Sequence, residues 1–244
     1  MTREWDAAAY DRLSAPQTRW GRMVVDRLEL VGNERVLDAG CGTGRVTEML
    51  LARLPDGHVI GVDGSAAMIE HAAVRFTDEP RIELVVADIT EPLPVDGRVD
   101  AILSTATFHW VADHASLFRN LASVLRPGGQ LVAQCGGAGN TASLERIISQ
   151  LGHTFGGGKT FATAAQTRDR LEAAGFEDVA TWLNEEPAMI PDEDLEAFLE
   201  TVCLSGIVDG MADEERARFV HEVAARMPEP RIDYVRLNIS ARRA

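Results

Sequence analysis

The chain has 244 residues, enough to bury a substantial core, and its 45% hydrophobic and 25% charged content is that of an ordinary globular protein. A formal charge of −14 argues against a nucleic-acid backbone or an anionic membrane as partner, yet leaves room for a small anion in a local field of opposite sign. Three scattered cysteines (Cys41, Cys135, Cys203), a polar start MTREWDAAAYDRL and no apolar run near the roughly 18 residues of a membrane span together predict a cytoplasmic protein without a signal peptide.

The segment SAPQTRWGRMVVDRL opens the predicted elements. Pro16 suits a first helical turn, and Trp20, Val24 and Leu28 form an apolar stripe that Gln17 shares. From residue 35 the chain alternates. β-rich runs at 35–39, 58–62, 82–86, 99–103 and 130–135 are separated by segments of helical period. Val46, Met49, Leu50 and Leu54 share one face after Gly44. Met68, Ile69, Ala72, Ala73 and Phe76 do so after Ser65, and Leu117, Phe118, Leu121, Val124 and Leu125 after Asp113. Pro55-Asp56-Gly57 breaks one helix, and Arg126-Pro127-Gly128-Gly129 is expected to end another. RDRLEAAGFEDVATWL reads as helix, glycine stop, strand; 192–227 reads as helical with a break near 206–210; RIDYVRLNIS reads as a last strand. This alternation predicts an α/β, doubly wound, Rossmann-like parallel sheet, with ligands at the carboxyl ends of the strands.

The sharpest motif lies in VLDAGCGTGRVTEML, residues 36–50. Asp38, Gly40, Gly42 and Gly44 make D-x-G-x-G-x-G across a strand-to-helix turn, where glycine permits positive φ and close approach of a ligand to the main chain. The dinucleotide fingerprint G-x-G-x-x-G is not met, because Arg45 and Thr47 stand where its third glycine would fall. Asp63 ends the second strand, where a carboxylate can accept from two ribose hydroxyls; as a bland alternative it caps the next helix. Asp88 ends the third strand and suits an adenine amine, with the Ile89 N–H on a ring nitrogen; as a bland alternative it is a turn residue.

These motifs resemble those of the class I S-adenosylmethionine-dependent methyltransferases over residues 36–134. VLDAGCGTG is similar to their glycine motif, GVDGSAAMI to their acidic ribose motif, VVADI to their adenine motif, and LRPGGQL to the turn before their fifth strand. EWDAAAY, FHWVADH and DYVRLNISARR resemble the trans-aconitate methyltransferase-like group, which acts on small molecules. The resemblance implies a seven-stranded sheet with an antiparallel last strand, in one domain over 1–244 with an N-terminal helical lid (1–32) and a helical cap insert (185–230). It implies S-adenosylmethionine as cofactor. Asp38, Gly40, Cys41, Gly42 and Gly44 would lie near its homocysteine part, Asp63 and Gly64 at the ribose, Met68, Asp88 and Ile89 at the adenine, and Thr105 close by.

For the acceptor, the resemblance to carboxyl methyltransferases implies a carboxylate held by Gln17 and Trp110, two neutral donors. Tyr10 resembles a lid tyrosine, while Trp20 and His109 complete the expected acceptor wall. The expected reaction is O-methylation of a small-molecule carboxylate. The alternatives are N-, C- or phenol-O-methylation with His109 as base, or a non-catalytic cofactor binder. GHTFGGGKT fails the phosphate-loop pattern because His153 stands where its first glycine belongs, and His109 and His114 are off one helical face with no cysteine pair, so no metal site is expected.

Overall fold

The structure is a computed structural model that describes residues 15–154 and 158–244, with side chains from residue 19 onward. Helix α1 (Ala15–Val25) precedes β1 (Arg35–Ala39), α2 (Arg45–Leu51), β2 (His58–Asp63), α3 (Ala66–Arg75), β3 (Ile82–Val86), β4 (Val99–Thr105), a 3₁₀ turn (Phe108–Trp110), α4 (His114–Val124) and β5 (Leu125–Gly136). Then follow α5 (Ala142–Gln150), α6 (Ala164–Ala173), β6 (Phe176–Glu185), β7 (Ala188–Met189), α7 (Leu195–Phe198), a π-helical turn (Leu199–Cys203), α8 (Ser205–Val208), α9 (Asp213–Arg226), β8 (Arg231–Ile232) and β9 (Val235–Arg243).

Seven strands form one sheet in the order β3-β2-β1-β4-β5-β9-β6. β1, β2, β3, β4 and β5 pair in parallel, and β9 inserts antiparallel between β5 and β6. The expected mostly parallel sheet with an antiparallel last strand is thus the one found. The order reverses between β1 and β4, which opens a crevice at their carboxyl ends.

The central strands β1, β2, β4 and β5 are apolar toward both layers, as a covered sheet requires. One face carries Leu37, Ile60, Ile102, Leu131, Leu237 and Ile239 against Leu117, Phe118 and Leu121 of α4 and Leu171 of α6. The other carries Val36, Val59, Leu103 and Val132 against Val24 and Val25 of α1 and Leu50 of α2. A third cluster lies away from both. In it Phe198, Leu199, Leu204, Phe219 and Val223 of 195–226 pack on Leu144 and Ile148 of α5 and on Trp20 of α1. The apolar face of that helical segment therefore covers α5 and α1 rather than water.

Helix starts follow their caps. Ser65 Oγ accepts from the Met68 N–H at 3.3 Å, Asp113 Oδ1 from the Ser116 N–H at 3.0 Å, and Thr163 and Gln166 form a reciprocal capping box.

Two expectations need correction. Residues 126–129 do not merely end a helix before a strand over 130–135. Buried Leu125 already pairs with Val99, the next pair is Ala101 with Gln130, and the four residues between them bulge out of an early strand. A Cβ on Gly129 would stand 2.7–2.9 Å from the Leu125 side chain and the Asp100 and Arg126 carbonyls, which is why the bulge needs glycine there. RIDYVRLNIS is not one strand either. Arg231–Ile232 pairs with β7, the chain turns at Asp233 and Tyr234, and only then does β9 enter the main sheet. Asp233 is held at that turn because its carboxylate accepts from the N–H and hydroxyl of Ser143 at the start of α5, at 2.9 and 2.5 Å.

Candidate functional site

The glycine loop turns sharply off β1. The Gly40 and Cys41 N–H groups both donate to the Val62 carbonyl, at 2.7 and 3.0 Å, so the loop folds over the end of β2. Gly40, Gly42 and Gly44 all have positive φ (82°, 55° and 84°), but for different reasons of space. A Cβ at Gly40 would strike the Thr107 side chain, and one at Gly44 the Phe76 ring. At Gly42 it would meet nothing within 4 Å. Space for a side chain is thus denied at Gly40 and Gly44 by neighbouring side chains, while Gly42 presents bare backbone to open space.

Asp63 is the clamp of this loop. Its Oδ2 accepts from the Gly42 N–H and its Oδ1 from the Ser65 N–H, both at 2.9 Å. The helix cap at this position is Ser65, so the bland reading of Asp63 as the cap gives way to a bridge between the loop and the start of α3. Gly64, half-buried, is the link between them.

Asp38 lies beneath the loop, buried. Thr47 Oγ1 donates to its Oδ2 at 2.7 Å, and its Oδ1 has no hydrogen-bond partner among the described residues. Burial pushes its pKa up to about 7; the Thr47 hydrogen bond works against that shift and the nearby Asp63 charge adds to it. Burial, with the same two carboxylates, also pushes the Cys41 thiol up, so it stays neutral.

Asp88 follows β3. Its Oδ1 accepts from the N–H and the hydroxyl of Thr90, at 2.9 and 2.7 Å, and these bonds overcome the effect of burial and hold the carboxyl below its ordinary range. Met68 and Ile89 are buried, Ile89 within the core on the α4 face. Thr105 ends β4 and accepts from Thr107 Oγ1 at 2.9 Å, while Ser104 Oγ donates to the Ala39 carbonyl at 2.6 Å and ties β4 to β1. Between Thr105 and Thr107, Ala106 holds φ 55°, a left-handed conformation that costs a residue with a Cβ about 1–2 kcal/mol.

The predicted acceptor residues follow at once. In the 3₁₀ turn, His109 is buried and its Nδ1 accepts from the Gly136 N–H at 3.4 Å. Its ring stacks on Phe161 (centroids 5.9 Å apart, 23°) and lies 5.2 Å from Trp110. Burial lowers its pKa well below the usual 6.5, helped by the charges of Arg236, Lys159 and His114. With Nδ1 committed as acceptor, the neutral ring carries its proton on Nε2. This geometry bears on the expected base: Nδ1 of His109 accepts from the backbone, and burial disfavours its protonated form. His114 is structural, with Nε2 on the Phe108 carbonyl at 2.9 Å and Arg170 donating to Nδ1 at 3.1 Å.

Trp110 is half-buried, and the Lys159 ammonium sits 4.6 Å from its ring centroid. Trp20 is buried, edge-on to Tyr234 at 5.1 Å, and the Arg236 guanidinium lies 4.5 Å over its ring. Gln17 lies in α1, but its side chain falls outside the described residues, as does Tyr10 entirely.

Several polar residues escaped the sequence reading. Gln134, Arg236 and Asn238 are all buried at the carboxyl edge of β5 and the adjoining end of β9. Gln134 donates to Asn238 at 2.8 Å, Asn238 to Asn184 at 2.9 Å, and Arg236 Nε to Gln134 at 3.4 Å. The available signal was alternation in VRLNI: Leu237 and Ile239 face the core, which puts Arg236 and Asn238 on the opposite face.

Residues 36–129 match a family described as a methyltransferase domain. A trans-aconitate 2-methyltransferase of Methylobacterium nodulans is 33% identical over 182 residues, 74% of this chain and 67% of that protein. Another, from Acidovorax ebreus, is 37% identical over 131 residues, 54% of this chain and 49% of its own length. The chain thus spans from about half to two thirds of the length of these relatives. In fold it is similar to the phosphoethanolamine N-methyltransferase 2 of Haemonchus contortus, solved with phosphomonomethylethanolamine and S-adenosylhomocysteine: TM-score 0.64, 18% identity, covering 97% of this chain and 56% of that one. Kinship at this level, carried on a sheet of this order, means that the chain belongs to the class I S-adenosylmethionine-dependent methyltransferases, in the trans-aconitate methyltransferase group.

Proposed function

We propose that the protein methylates a carboxylate oxygen of a small-molecule acid. S-adenosylmethionine, when bound, supplies a methyl group made electrophilic by its sulfonium. Two features of the crevice suit that molecule: the bare backbone at Gly42, and the unpartnered buried Oδ1 of Asp38, an acceptor for an ammonium group or a bridging water. Asp63 and Asp88, at the ends of β2 and β3, would take the ribose hydroxyls and the adenine amine, with Gly64, Met68, Ile89 and Thr105 around them.

The observation that carries the carboxylate reading is His109. Its Nδ1 accepts from Gly136 and burial holds its pKa well below 6.5, which supports an acceptor that needs no base. A phenol or ammonium group must lose a proton before it can attack, whereas a carboxylate is already ionised at neutral pH. The Trp110 indole and the Gln17 amide would hold such an acid without burying a counter-charge, with Tyr10 and Trp20 beside them. In this reading 1–32 forms a lid and 185–230 a cap that exclude water from the transfer. Relatives named trans-aconitate 2-methyltransferases support the choice of an acid. The free thiols of Cys41, Cys135 and Cys203 suit a cytoplasmic setting.

The test is a labelled-methyl assay over trans-aconitate and other small acids, against phenols and amines. Turnover on acids is expected at saturating cofactor, without the alkaline rise in rate that deprotonation of a phenol or ammonium acceptor would give. Turnover confined to amines or phenols, or cofactor binding without turnover on any acceptor, would remove the reading.

A further inference from the structure

We propose that Arg75, the last residue of α3, is a positioning residue for the cofactor: it holds the glycine loop in its binding shape without touching the bound molecule. The inference rests on the reading above in which that loop carries S-adenosylmethionine.

The need comes from the chain itself. Three glycines fall within residues 40–44, and glycine loses more backbone freedom on ordering than any other residue. A loop left free would have to be ordered by the cofactor, and the affinity would fall in proportion to the time it spends out of the binding shape. Order established beforehand removes that loss.

Part of the order is local. The Gly40 and Cys41 N–H groups are held by the Val62 carbonyl, and the Gly42 N–H by Asp63. The peptide between Thr43 and Gly44 is held at both ends. Its N–H donates to the Cys41 carbonyl at 3.0 Å, and its carbonyl accepts from Arg75 Nε at 3.0 Å. A peptide unit is planar, so two opposed hydrogen bonds fix its orientation. That sets the path from the open backbone at Gly42 into the first turn of α2. Arg75 is itself aimed, since its Nη1 donates to Glu48 Oε2 of α2 at 3.2 Å. One side chain of α3 thus ties the loop to the helix that follows it.

Phe76 adds bulk at the same place. A Cβ at Gly44 would stand 2.4 Å from the Phe76 ring and 3.5 Å from Arg75 Cδ. These two residues close the Gly44 side of the loop, while the Gly42 side stays open. On its other flank Arg75 lines a surface groove with Glu48, Leu51, Ala52, Phe76 and Arg81, which shares no residue with the crevice. Arg75 therefore acts on the cofactor through the loop, not by contact.

The experiment compares the wild type with R75M, R75K and E48Q. Calorimetric titration with S-adenosylhomocysteine gives the dissociation constant, and amide hydrogen exchange with and without that molecule locates its effect. In the wild type, S-adenosylhomocysteine should slow exchange at residues 40–44. R75M keeps the reach of the side chain and removes its donors. The Arg75 side chain is 24% exposed, so the expected rise in dissociation constant is near the low end for a charged donor, about tenfold. Exchange at 40–44 should quicken in unliganded R75M and stay near the wild-type rate once the protein is saturated. At saturating cofactor kcat should remain within about threefold of the wild type's, with the loss confined to KM for the cofactor. R75K restores a donor and should recover part of the affinity; E48Q should act as R75M does, by less. Should R75M fail to fold, E48Q and R75K are read in the same way. An unchanged dissociation constant, or quicker exchange spread evenly over the molecule, would overturn the positioning role and leave the loop as the cofactor site. Protection by S-adenosylhomocysteine away from residues 40–44 in the wild type would remove the loop reading and this inference with it.

Discussion

Gly42 and Asp63 act as one unit. The glycine offers bare backbone at positive φ, and the carboxylate holds that backbone through its N–H while bracing the start of α3. Asp63→Ala should therefore do two things: lower the melting temperature, and weaken cofactor affinity by roughly 1.5–3 kcal/mol for each charge-assisted hydrogen bond lost. Calorimetric titration showing undiminished affinity would count against the ribose role. Gly42→Ala should separate the two effects. Left-handed φ costs alanine about 1 kcal/mol of stability, while the new methyl fills the open face and should remove most cofactor binding.

Asp38 makes a different prediction. Its folded pKa of about 7 lies above the unfolded value near 3.8, so the native state holds a proton that the unfolded chain has released. Stability from this group is present below the unfolded pKa and is lost as pH rises from about 4 to 7. Asp38→Asn removes that titration. Its denaturation midpoint should vary less with pH across this window than the wild type's, as urea melts at several pH values would show.

At the scale of elements, periodicity placed the strands and helices of 35–135, because one face of each must meet the core, but it gave no helix over Ala142–Gln150 and no β7–β8 pair. The errors lie where pairing overrode local chemistry. LRPGG reads as a turn, and the backbone of Gly128 does take φ 74°, but buried Leu125 finds Val99 and draws the segment into β5. Gly129→Ala should cost about 1–3 kcal/mol, since the surrounding carbonyls cannot withdraw far. RIDYV broke because Asp233 holds the start of α5. Asp113→Ala tests an element boundary the sequence did show: loss of its cap on Ser116 should cost about 1 kcal/mol in the same denaturation assay.

For the whole molecule, the buried apolar residues form three clusters, and Trp20 belongs to the one built by α5 and the helical segment over 195–226. α1 carries Val24 and Val25 into the sheet core and Trp20 into this third cluster, so it joins the two. Saturating S-adenosylmethionine should raise stability by about 2.7 kcal/mol at a hundredfold excess over its dissociation constant, measurable as an upward shift in melting temperature. NADH should produce no such shift, since the loop lacks the dinucleotide spacing.

The sequence by itself determined the α/β sheet and the three strand ends at residues 38–44, 63 and 88, because periodicity, glycine and strand-end carboxylates are local properties of the chain. Tertiary structure alone decided that Gly40 and Gly44 answer to Thr107 and Phe76, that His109 spends its lone pair on Gly136, and that Arg236 and Lys159 meet around it. Those partners lie 27 to 127 residues away in the chain or arrive on the antiparallel strand β9. No local pattern encodes a contact that exists only once the sheet has closed.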